Sequence, residues 1–358
     1  MIAAIRQRAA SGKAATGANG RNGGALRLGI GDDCAILRPP AGEEIVVTTD
    51  LSLEHVHFRR DWHPAESAGH RCLARGLSDV AAMGATPLAA FLSLAIPPEL
   101  TRKAGRATTS WMERFLDGFL RLAAQHRVPL AGGDLAQSPR ILSRASNSGA
   151  SNSRASNSLV IADIILLGSV PRGRALLRST ARAGDTIYVT GSLGGAAAEL
   201  LALERSPRRF RHADASQLHP HLYPQPRLQA ASRIRAAKMA TAAIDISDGL
   251  STDLAHLCEE SALAAEIDAD AIPVHVMANL AEMAGLAPSA LALALHGGED
   301  YELLFTAAPR TRVPARIAGV PVRAIGRMVN RRTRQPLISL VSGGHSQPLN
   351  PGGWEHFR

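Results

Sequence analysis

Apolar runs that end in glycine and aspartate recur along this chain. The runs "ALRLGIGDD", "EEIVVTTDL", "VPLAGGDL" and "AAIDISDG" all lead into carboxylates, with helical stretches between them. A single aspartate after a strand commonly caps the next helix, whereas "GDD", "DISD" and "GED" each supply two acidic residues. Capping alone therefore does not explain the pattern. Alternation of such strands and helices predicts layered α/β or α+β domains.

The repeated carboxylates predict a cation site. If the strand ends gather at one edge of a sheet, the acidic side chains converge on one cleft. Two carboxylates ~4 Å apart repel by about 4 kcal/mol at an effective dielectric constant of ~20, so such a cluster requires cations. Oxygen ligands without histidine or cysteine at metal spacing favour Mg²⁺, which usually shares its coordination shell with substrate phosphates. The sequence therefore predicts a metal-dependent phosphate site.

Two common nucleotide motifs are absent from the sequence. Neither G-x-x-x-x-G-K-[ST] nor a G-x-G-x-x-G after a strand occurs, which argues against a P-loop and against a Rossmann dinucleotide site. Bound metal ions would take the place of the P-loop lysine. The reaction class that fits is phosphoryl transfer, in which positioning and charge neutralisation supply most of the catalysis.

Composition limits the remaining classes. A chain of 358 residues predicts two domains. The net charge of +9 is almost all arginine, and aromatic residues make up only 4%, too few for the stacking platforms of RNA binders. No apolar run approaches the ~20 residues of a membrane span, and no signal peptide is expected. Three cysteines without metal spacing predict a cytoplasmic protein.

Local patterns predict the organisation of the chain. The spacing of Trp111, Phe115, Phe119 and Leu122 predicts one face of a helix. Residues 143–158, "SRASNSGASNSRASNS", have no apolar face and predict a disordered insertion. We place a domain boundary after the strand "LVIADIILLG", which gives domains 1–171 and 172–358.

Eight motifs taken in order resemble the thiamine-monophosphate kinase family, whose scaffold is shared with aminoimidazole ribonucleotide synthetase. They are "GIGDDCAIL", "TTD" followed by "VHF", "LSDVAAMGATP", "GGD", "GRALLRS", "DISDGLSTDL", "GGEDYEL" and "GGWEHF". The resemblance implies an α+β fold of two α/β layered domains and transfer of a phosphoryl group from ATP to thiamine monophosphate. It also implies several Mg²⁺ ions and a homodimer built from the N-terminal domains, with neither nucleic acid nor membrane as partner.

The resemblance also implies the roles of individual residues. The expected metal ligands are Asp33, Thr48, Thr49, Asp50, Asp79, Asp134, Asp245 and Asp248. Among these, the residues assigned to catalysis are Asp33, Asp50 and Asp134. The expected ATP contacts are Gly133, Asp134, Arg178 and Ser247, and the expected thiamine-phosphate contacts are His57, Glu299 and Trp354.

Several positions have simpler interpretations. His57 is alternatively a polar strand residue that shares a face with His55, and Trp354 a packing anchor near the C-terminus. Arg178 is alternatively one arginine of an arginine-rich stretch, and Asp253 is expected to be an exposed helical residue.

Two departures and two competing functions remain. The family usually has asparagine where this chain has Gly76, and "GGDT" where it has "GGDL" with Leu135. One alternative function is that of a sibling enzyme similar to aminoimidazole ribonucleotide synthetase. The other is a basic RNA-binding module whose carboxylates are caps, for which binding would weaken with salt and need no Mg²⁺.

Overall fold

The computed structural model describes residues 2–11, 25–105, 108–139 and 158–354. Residues 143–157 of the predicted insertion and the closing residues 355–358 lie outside this range. Among the described helices, none is long and apolar enough to cross a membrane.

Eight α-helices are described. They are α1 (Ile2–Ser11), α2 (Ala65–Ala82), α3 (Trp111–His126), α4 (Gly195–Arg205), α5 (Leu228–Ala236), α6 (Leu250–Glu260), α7 (Val276–Met283) and α8 (Ala290–His296). The first strands are β1 (Leu26–Leu28), β2 (Ile36–Leu37), β3 (Glu43–Leu53), β4 (Thr86–Ile96), β5 (Leu130–Gln137), β6 (Ile161–Pro171) and β7 (Thr186–Thr190). The later strands are β8 (Ala242–Ile246), β9 (Leu263–Asp268), β10 (Glu302–Ala307), β11 (Arg316–Ile317), β12 (Val320–Asn330), β13 (Ile338–Ser342) and β14 (His345–Pro348).

The described strands form three sheets. A four-stranded sheet has the order β3-β6-β4-β5, and β1 pairs with β2. The large sheet has the order β14-β13-β9-β12-β7-β10-β8, with β11 joined to β12. Within it, β10 is antiparallel to both β7 and β8, whereas β13 runs parallel to β9. Sheets covered by helices confirm the predicted α+β class.

The chain divides into two compact units. The first contains residues 1–38, 49–73 and 88–166, and the second contains 39–48, 74–87 and 167–358. The chain passes between units within β3, α2, β4 and β6. The predicted boundary at residue 171 stays a prediction.

Glycines set the helix crossing in the first unit. A Cβ on Gly69 of α2 would lie 1.9 Å from the carbonyl oxygen of Phe115 in α3, and a Cβ on Gly118 would lie 1.9 Å from that of Glu66. Both distances are far below contact, so the two helices pack through their backbones. The predicted apolar face of α3 is confirmed, because Phe115, Phe119 and Leu122 are all buried.

A buried strand and helix support the site in the second unit. All five residues of β8 are buried, and so are Leu250, Leu254 and Leu257 of the following helix α6. These residues belong to one core that also includes Ile187 of β7 and Leu304 of β10. The connection between β8 and α6 is thus fixed at both ends.

Candidate functional site in the second unit

The connection between β8 and α6, residues 247–249, is the centre of the candidate site; we call it the β8–α6 loop. Asp245 is the second-last residue of β8 and is buried. Ser247 and Asp248 follow in the loop, as predicted. Gly249 directly precedes α6 and has a φ of 117°, in the region that favours glycine. No side chain of this residue can cap the helix, so the free amides of the first turn need another acceptor.

Two other motifs meet this loop through backbone hydrogen bonds. The N–H of Glu299 donates to the carbonyl of Ser247 at 2.7 Å, and the N–H of Trp354 donates to the carbonyl of Asp248 at 3.1 Å. A Cβ on Gly353 would lie 2.1 Å from the carbonyl oxygen of Asp248, so the chain can approach only with glycine there. Four of the predicted residues, from three segments that are remote from one another in sequence, are therefore brought together.

The C-terminal segment is held at two further points. The N–H of Gly352 donates to the hydroxyl of Ser251 at 3.2 Å, and that of Gly353 donates to the hydroxyl of Thr252 at 3.1 Å. Trp354, which these contacts position, keeps 52% of its surface exposed. Its assignment as a thiamine-phosphate contact rather than a packing anchor stays a prediction.

The prediction that Asp253 is an exposed helical residue is wrong. Its side chain is only 2% exposed, and Oδ2 accepts the N–H groups of Ser247, Asp248 and Gly249 at 3.0, 3.1 and 3.0 Å. Asp253 lies three residues after Leu250, on the buried face of α6, and this helical spacing was the signal that could have found it. It therefore holds the three amides of the β8–α6 loop, which lead into α6.

The charges around this loop repel one another. Burial raises the pKa of Asp253 well above its usual value, and the neighbouring carboxylates of Asp245 and Asp248 raise it further. The amide hydrogen bonds from Gly249 and Asp248 act in the opposite direction. The two neighbouring carboxylates therefore disfavour ionisation of Asp253.

One side chain of α2 contacts this acidic group, and the residue after it in α2 contacts β3. Ser78, in α2, donates its hydroxyl to Oδ2 of Asp245 at 2.6 Å. The hydroxyl of Thr48, in β3, donates to Oδ2 of the adjacent Asp79. Sequence reasoning singled out Asp79 and missed Ser78, although the two are neighbours.

The carboxylate of Glu299 lies beside a buried histidine. Its Oε2 lies 3.1 Å from Nδ1 of the buried His221. The backbone N–H of His221 in turn donates to the buried Glu199 of α4 at 2.8 Å. Glu299 has a φ of 67°, an uncommon value for a residue with a side chain and one that is frequent at functional sites. No sequence motif pointed to His221.

Asp300 follows Glu299 in the chain and contacts the start of α4. Its two oxygens accept the N–H groups of Gly194 and Ala196 at the start of α4, at 2.6 and 3.1 Å. Burial raises the pKa of Asp300 to about 7, against the opposing effect of these amide donors. This residue is therefore a helix anchor beside Glu299.

Arg178 lies away from the β8–α6 loop. Its carbonyl accepts the hydroxyl of Ser261 after α6, and Thr180 in the same turn donates to the carbonyl of Thr241 before β8. Thr241 and Ser247 are separated by the length of the strand, about 20 Å at ~3.3 Å per residue. The backbone atoms of Arg178 and Ser247 thus lie near opposite ends of β8.

Predicted residues in the first unit and at the strand β3

Several predicted ligands do not lie at strand ends, contrary to the initial expectation. Asp50 lies within β3, Asp134 within β5, and Asp79 inside the helix α2. The small or hydroxyl residues beside them do not end the strands. The interpretation of the motif as a strand end was wrong for Asp50 and Asp134.

Consecutive residues of β3 point to opposite faces. Thr48 and Asp50 lie on the partly buried face, whereas Thr49 lies on the exposed face with Val47 and Leu51. The hydroxyl of Thr49 donates to Oδ1 of Asp163 in β6 at 2.9 Å. The side chain of Thr49 therefore faces away from those of its two neighbours.

Asp33 and Gly133 lie in the first unit. Asp33 is exposed, and its N–H donates to Oδ1 of Asp32 at 3.0 Å, which shapes the turn. Gly133 has a φ of 144°, and a Cβ there would lie 1.9 Å from the carbonyl oxygen of Leu92 in β4. Close packing of β4 and β5 is thus enough to require this glycine, and the exposed Asp134 follows it directly.

His57 is not a strand residue, so that alternative is wrong. It lies after the end of β3, and its Nδ1 accepts the N–H of Leu53 at 3.0 Å, which places the ring proton of a neutral imidazole on Nε2. Arg71 of α2 donates to the carbonyl of His57 at 2.9 Å. His55 has a φ of 69° in the same turn, so the two histidines do not share a strand face.

The oxygen-only donor set fits a hard cation such as Mg²⁺. Among the described residues, there is no group of three or more histidine, cysteine, aspartate or glutamate side chains that could hold a metal ion. The buried Asp245 nevertheless lies with Asp248 and Asp253, whose carboxylates repel one another. The metal ligands stay a prediction.

Comparisons with known proteins identify the class. Residues 31–149 match the N-terminal domain of AIR synthase related proteins, and residues 182–335 match the C-terminal domain. The chain therefore belongs to the AIR synthase related proteins.

Full-length relatives narrow this class. The thiamine-monophosphate kinase of Salmonella typhimurium is 36% identical over 339 residues, which cover 93% of this chain and 92% of that protein. The crystal structure of thiamine-monophosphate kinase from Stenotrophomonas maltophilia K279a matches with a TM-score of 0.73 and 34% identity, over 97% of this chain and 96% of that one. The structure of AaThiL complexed with AMPPCP and TMP matches with a TM-score of 0.70 and 27% identity, over 89% of each chain. The chain belongs to the thiamine-monophosphate kinase family.

Proposed function

We propose that this protein is a thiamine-monophosphate kinase, which transfers the terminal phosphoryl group of ATP to thiamine monophosphate and releases thiamine diphosphate and ADP. The observation that carries the proposal is the meeting of three motifs at the β8–α6 loop. The N–H groups of Glu299 and Trp354 bind the carbonyls of Ser247 and Asp248, which places two proposed substrate contacts beside a proposed nucleotide and metal contact. A relative of the same family has been solved with AMPPCP and TMP.

The chemistry of the acceptor agrees with the residues present. Thiamine monophosphate already carries an anionic phosphate, so no general base is needed to create the nucleophile. The main obstacle is repulsion between two polyanions, and Mg²⁺ supplies the neutralising charge in phosphoryl transfer. A site rich in carboxylates and poor in histidine suits this task.

The Mg²⁺ sites are proposed on the carboxylates and hydroxyls of both units. In the second unit the proposed ligands are Thr48, Asp79, Asp245 and Asp248, of which the first two are hydrogen-bonded to each other. In the first unit they are Asp33, Thr49, Asp50 and Asp134.

The proposed substrate contacts suit a cationic aromatic ligand. Trp354 has an exposed ring, which can cover the thiazolium ring of thiamine through a cation–π contact. Glu299, whose N–H donates to Ser247 of the β8–α6 loop, carries a carboxylate that suits the positive charge. His57, in the first unit, is proposed as a further contact of thiamine monophosphate. Arg178 is exposed and suits a phosphate or ribose oxygen of the nucleotide.

The homodimer is proposed to form through the N-terminal domain, residues 1–171, in a cytoplasmic protein. The exposed face of β3 supports this assignment, since Ile45, Val47 and Leu51 are 42%, 64% and 47% exposed. An apolar row of this kind on a sheet face is typical of an interface.

Product analysis distinguishes the proposal from its alternative. The protein is incubated with ATP and thiamine monophosphate, with and without Mg²⁺, and thiamine diphosphate is measured by chromatography. We expect equal amounts of thiamine diphosphate and ADP with Mg²⁺, and loss of both in Asp50→Asn. Binding of ATP with Mg²⁺ but no thiamine diphosphate would favour a sibling enzyme similar to aminoimidazole ribonucleotide synthetase.

A further inference from the structure

The buried carboxylate of Asp253 is bound by every amide of the β8–α6 loop. One oxygen, Oδ2, accepts the N–H groups of residues 247, 248 and 249 at 3.0, 3.1 and 3.0 Å. The side chain is 2% exposed and enters from the first turn of α6. Hydrogen bonds to an ionised acceptor are about twice as strong as those between neutral groups.

This arrangement limits which groups of the β8–α6 loop can bind a phosphate. The free amides at a helix N-terminus commonly bind a phosphate directly. Here an internal carboxylate occupies the amides of residues 247–249, directly before α6, so these three are not available to a nucleotide. Phosphate recognition by this loop must therefore depend on its side chains and on cations, with Ser247 and Asp248 as the candidates.

The loop is fixed from its carbonyl side as well. The carbonyls of Ser247 and Asp248 accept the N–H groups of Glu299 and Trp354, as described above. Two peptide groups of the loop are therefore held from both sides. The N–H groups of Asp248 and Gly249 donate to Asp253. The carbonyls of the same two peptide groups, those of Ser247 and Asp248, accept the N–H groups of Glu299 and Trp354. A change in the loop would move both sets.

We propose that Asp253 is a positioning residue that holds the β8–α6 loop in the conformation in which Ser247 and Asp248 meet the Mg²⁺–nucleotide. The inference rests on the proposed function for the identity of the ligand. The hydrogen-bonded loop itself does not depend on that function.

Two substitutions separate the charge of Asp253 from its role as an acceptor. In Asp253→Asn the amide oxygen can still accept the three N–H groups, whereas Asp253→Ala leaves them without this partner. Asp185→Ala is the matched control. Asp185 is also 2% exposed and accepts the N–H of Arg182 at 2.9 Å and the hydroxyl of Thr241 at 2.6 Å, before β8 rather than after it.

The test measures binding and loop order without turnover. Affinity for AMPPCP in the presence of Mg²⁺ is measured by calorimetry, and amide hydrogen exchange is followed at residues 247–249. We expect Asp253→Ala to bind at least about tenfold more weakly, the loss of roughly one hydrogen bond to a charged group, and to exchange these amides faster. Asp253→Asn should recover most of the affinity, and Asp185→Ala should retain it.

Three results would overturn the inference. They are unchanged affinity in Asp253→Ala, equal losses in Asp253→Ala and Asp185→Ala, and amide exchange at the loop that is no faster in Asp253→Ala. If the wild-type protein itself does not bind AMPPCP with Mg²⁺, the proposed function fails, and the exchange measurement still decides whether Asp253 fixes the loop.

Discussion

Replacement of Gly353 by alanine tests how the C-terminal segment delivers Trp354 to the site. The added Cβ would lie 2.1 Å from the carbonyl oxygen of Asp248 and 2.7 Å from the hydroxyl of Thr252. Neither atom can yield easily, because one is backbone and the other belongs to the first turn of α6. The segment must therefore move away from the loop.

The size of the effect follows from the contacts that would be lost. Three hydrogen bonds hold residues 352–354 to the loop and to α6, at 3.2, 3.1 and 3.1 Å. Each contributes about 1 kcal/mol net, so loss of one to two of them costs about 1–2 kcal/mol. At about 1.4 kcal/mol per factor of ten, the KM for thiamine monophosphate should rise roughly 5- to 30-fold.

Steady-state kinetics with each substrate varied in turn measures this change. We expect the KM for ATP and the circular dichroism spectrum of Gly353→Ala to stay close to those of the wild type, because Trp354 is assigned to the thiamine side. Asn350→Ala is the control, an exposed residue of the same segment. An unchanged KM for thiamine monophosphate in Gly353→Ala would refute the reasoning, as would an equal rise for ATP.

Three further predictions concern support of the site and of the fold. His221→Ala removes the histidine beside the carboxylate of Glu299 and should raise the KM for thiamine monophosphate about 5- to 10-fold with little effect on the KM for ATP; equal rises for both substrates would contradict it. The pKa of Asp300 is raised from 3.8 to about 7, so it stabilises the fold below about pH 4 and that contribution is lost as the pH rises to 7. Asp300→Asn has no carboxyl group to titrate, so its free energy of unfolding, measured by urea titration, should rise relative to that of the wild type by up to about 4 kcal/mol between pH 4 and pH 7. A difference between the two proteins that stays constant over this pH range would exclude the raised pKa. Gly118→Ala places a Cβ 1.9 Å from the carbonyl oxygen of Glu66 and should lower the free energy of unfolding by about 2–4 kcal/mol, whereas a loss under about 0.5 kcal/mol would show that the helices separate easily.

The sequence predicted the class of fold and the main elements because their signals are local. Helix α3 follows from the spacing of Phe115, Phe119 and Leu122, and the buried strand β8 follows from a short apolar run before a turn. The family resemblance then identified the residues of the β8–α6 loop. Local pattern and motif order were sufficient for these features.

Contacts between remote segments could not be predicted in this way. The hydrogen bond from Trp354 to Asp248 joins residues more than a hundred positions apart, and no periodicity encodes it. The contact of His221 with Glu299 is of the same kind. Asp253 was misjudged because a charged residue was assumed to face solvent, although its spacing from Leu250 places it on the buried face.

Residue type alone also gave incomplete explanations. Gly133 was assigned to nucleotide binding, yet the approach of β4 requires a glycine there in any case. Thr48 and Thr49 were both assigned to metal binding, but the alternation of side chains along a strand turns theirs to opposite faces. A motif fixes which residues are present, and the backbone decides which of their atoms can reach a ligand.

The measurement that tests the central claim most directly is a Mg²⁺ titration of thiamine diphosphate formation by the wild type, Asp248→Asn and the control Asp270→Asn, an exposed aspartate of the same unit. If the carboxylates around the β8–α6 loop hold the catalytic Mg²⁺, wild type and control should form product only with Mg²⁺. Asp248→Asn should then need at least about tenfold more Mg²⁺ or lose the activity. Product formation without Mg²⁺, or the same Mg²⁺ dependence in Asp248→Asn as in the wild type, would contradict the account.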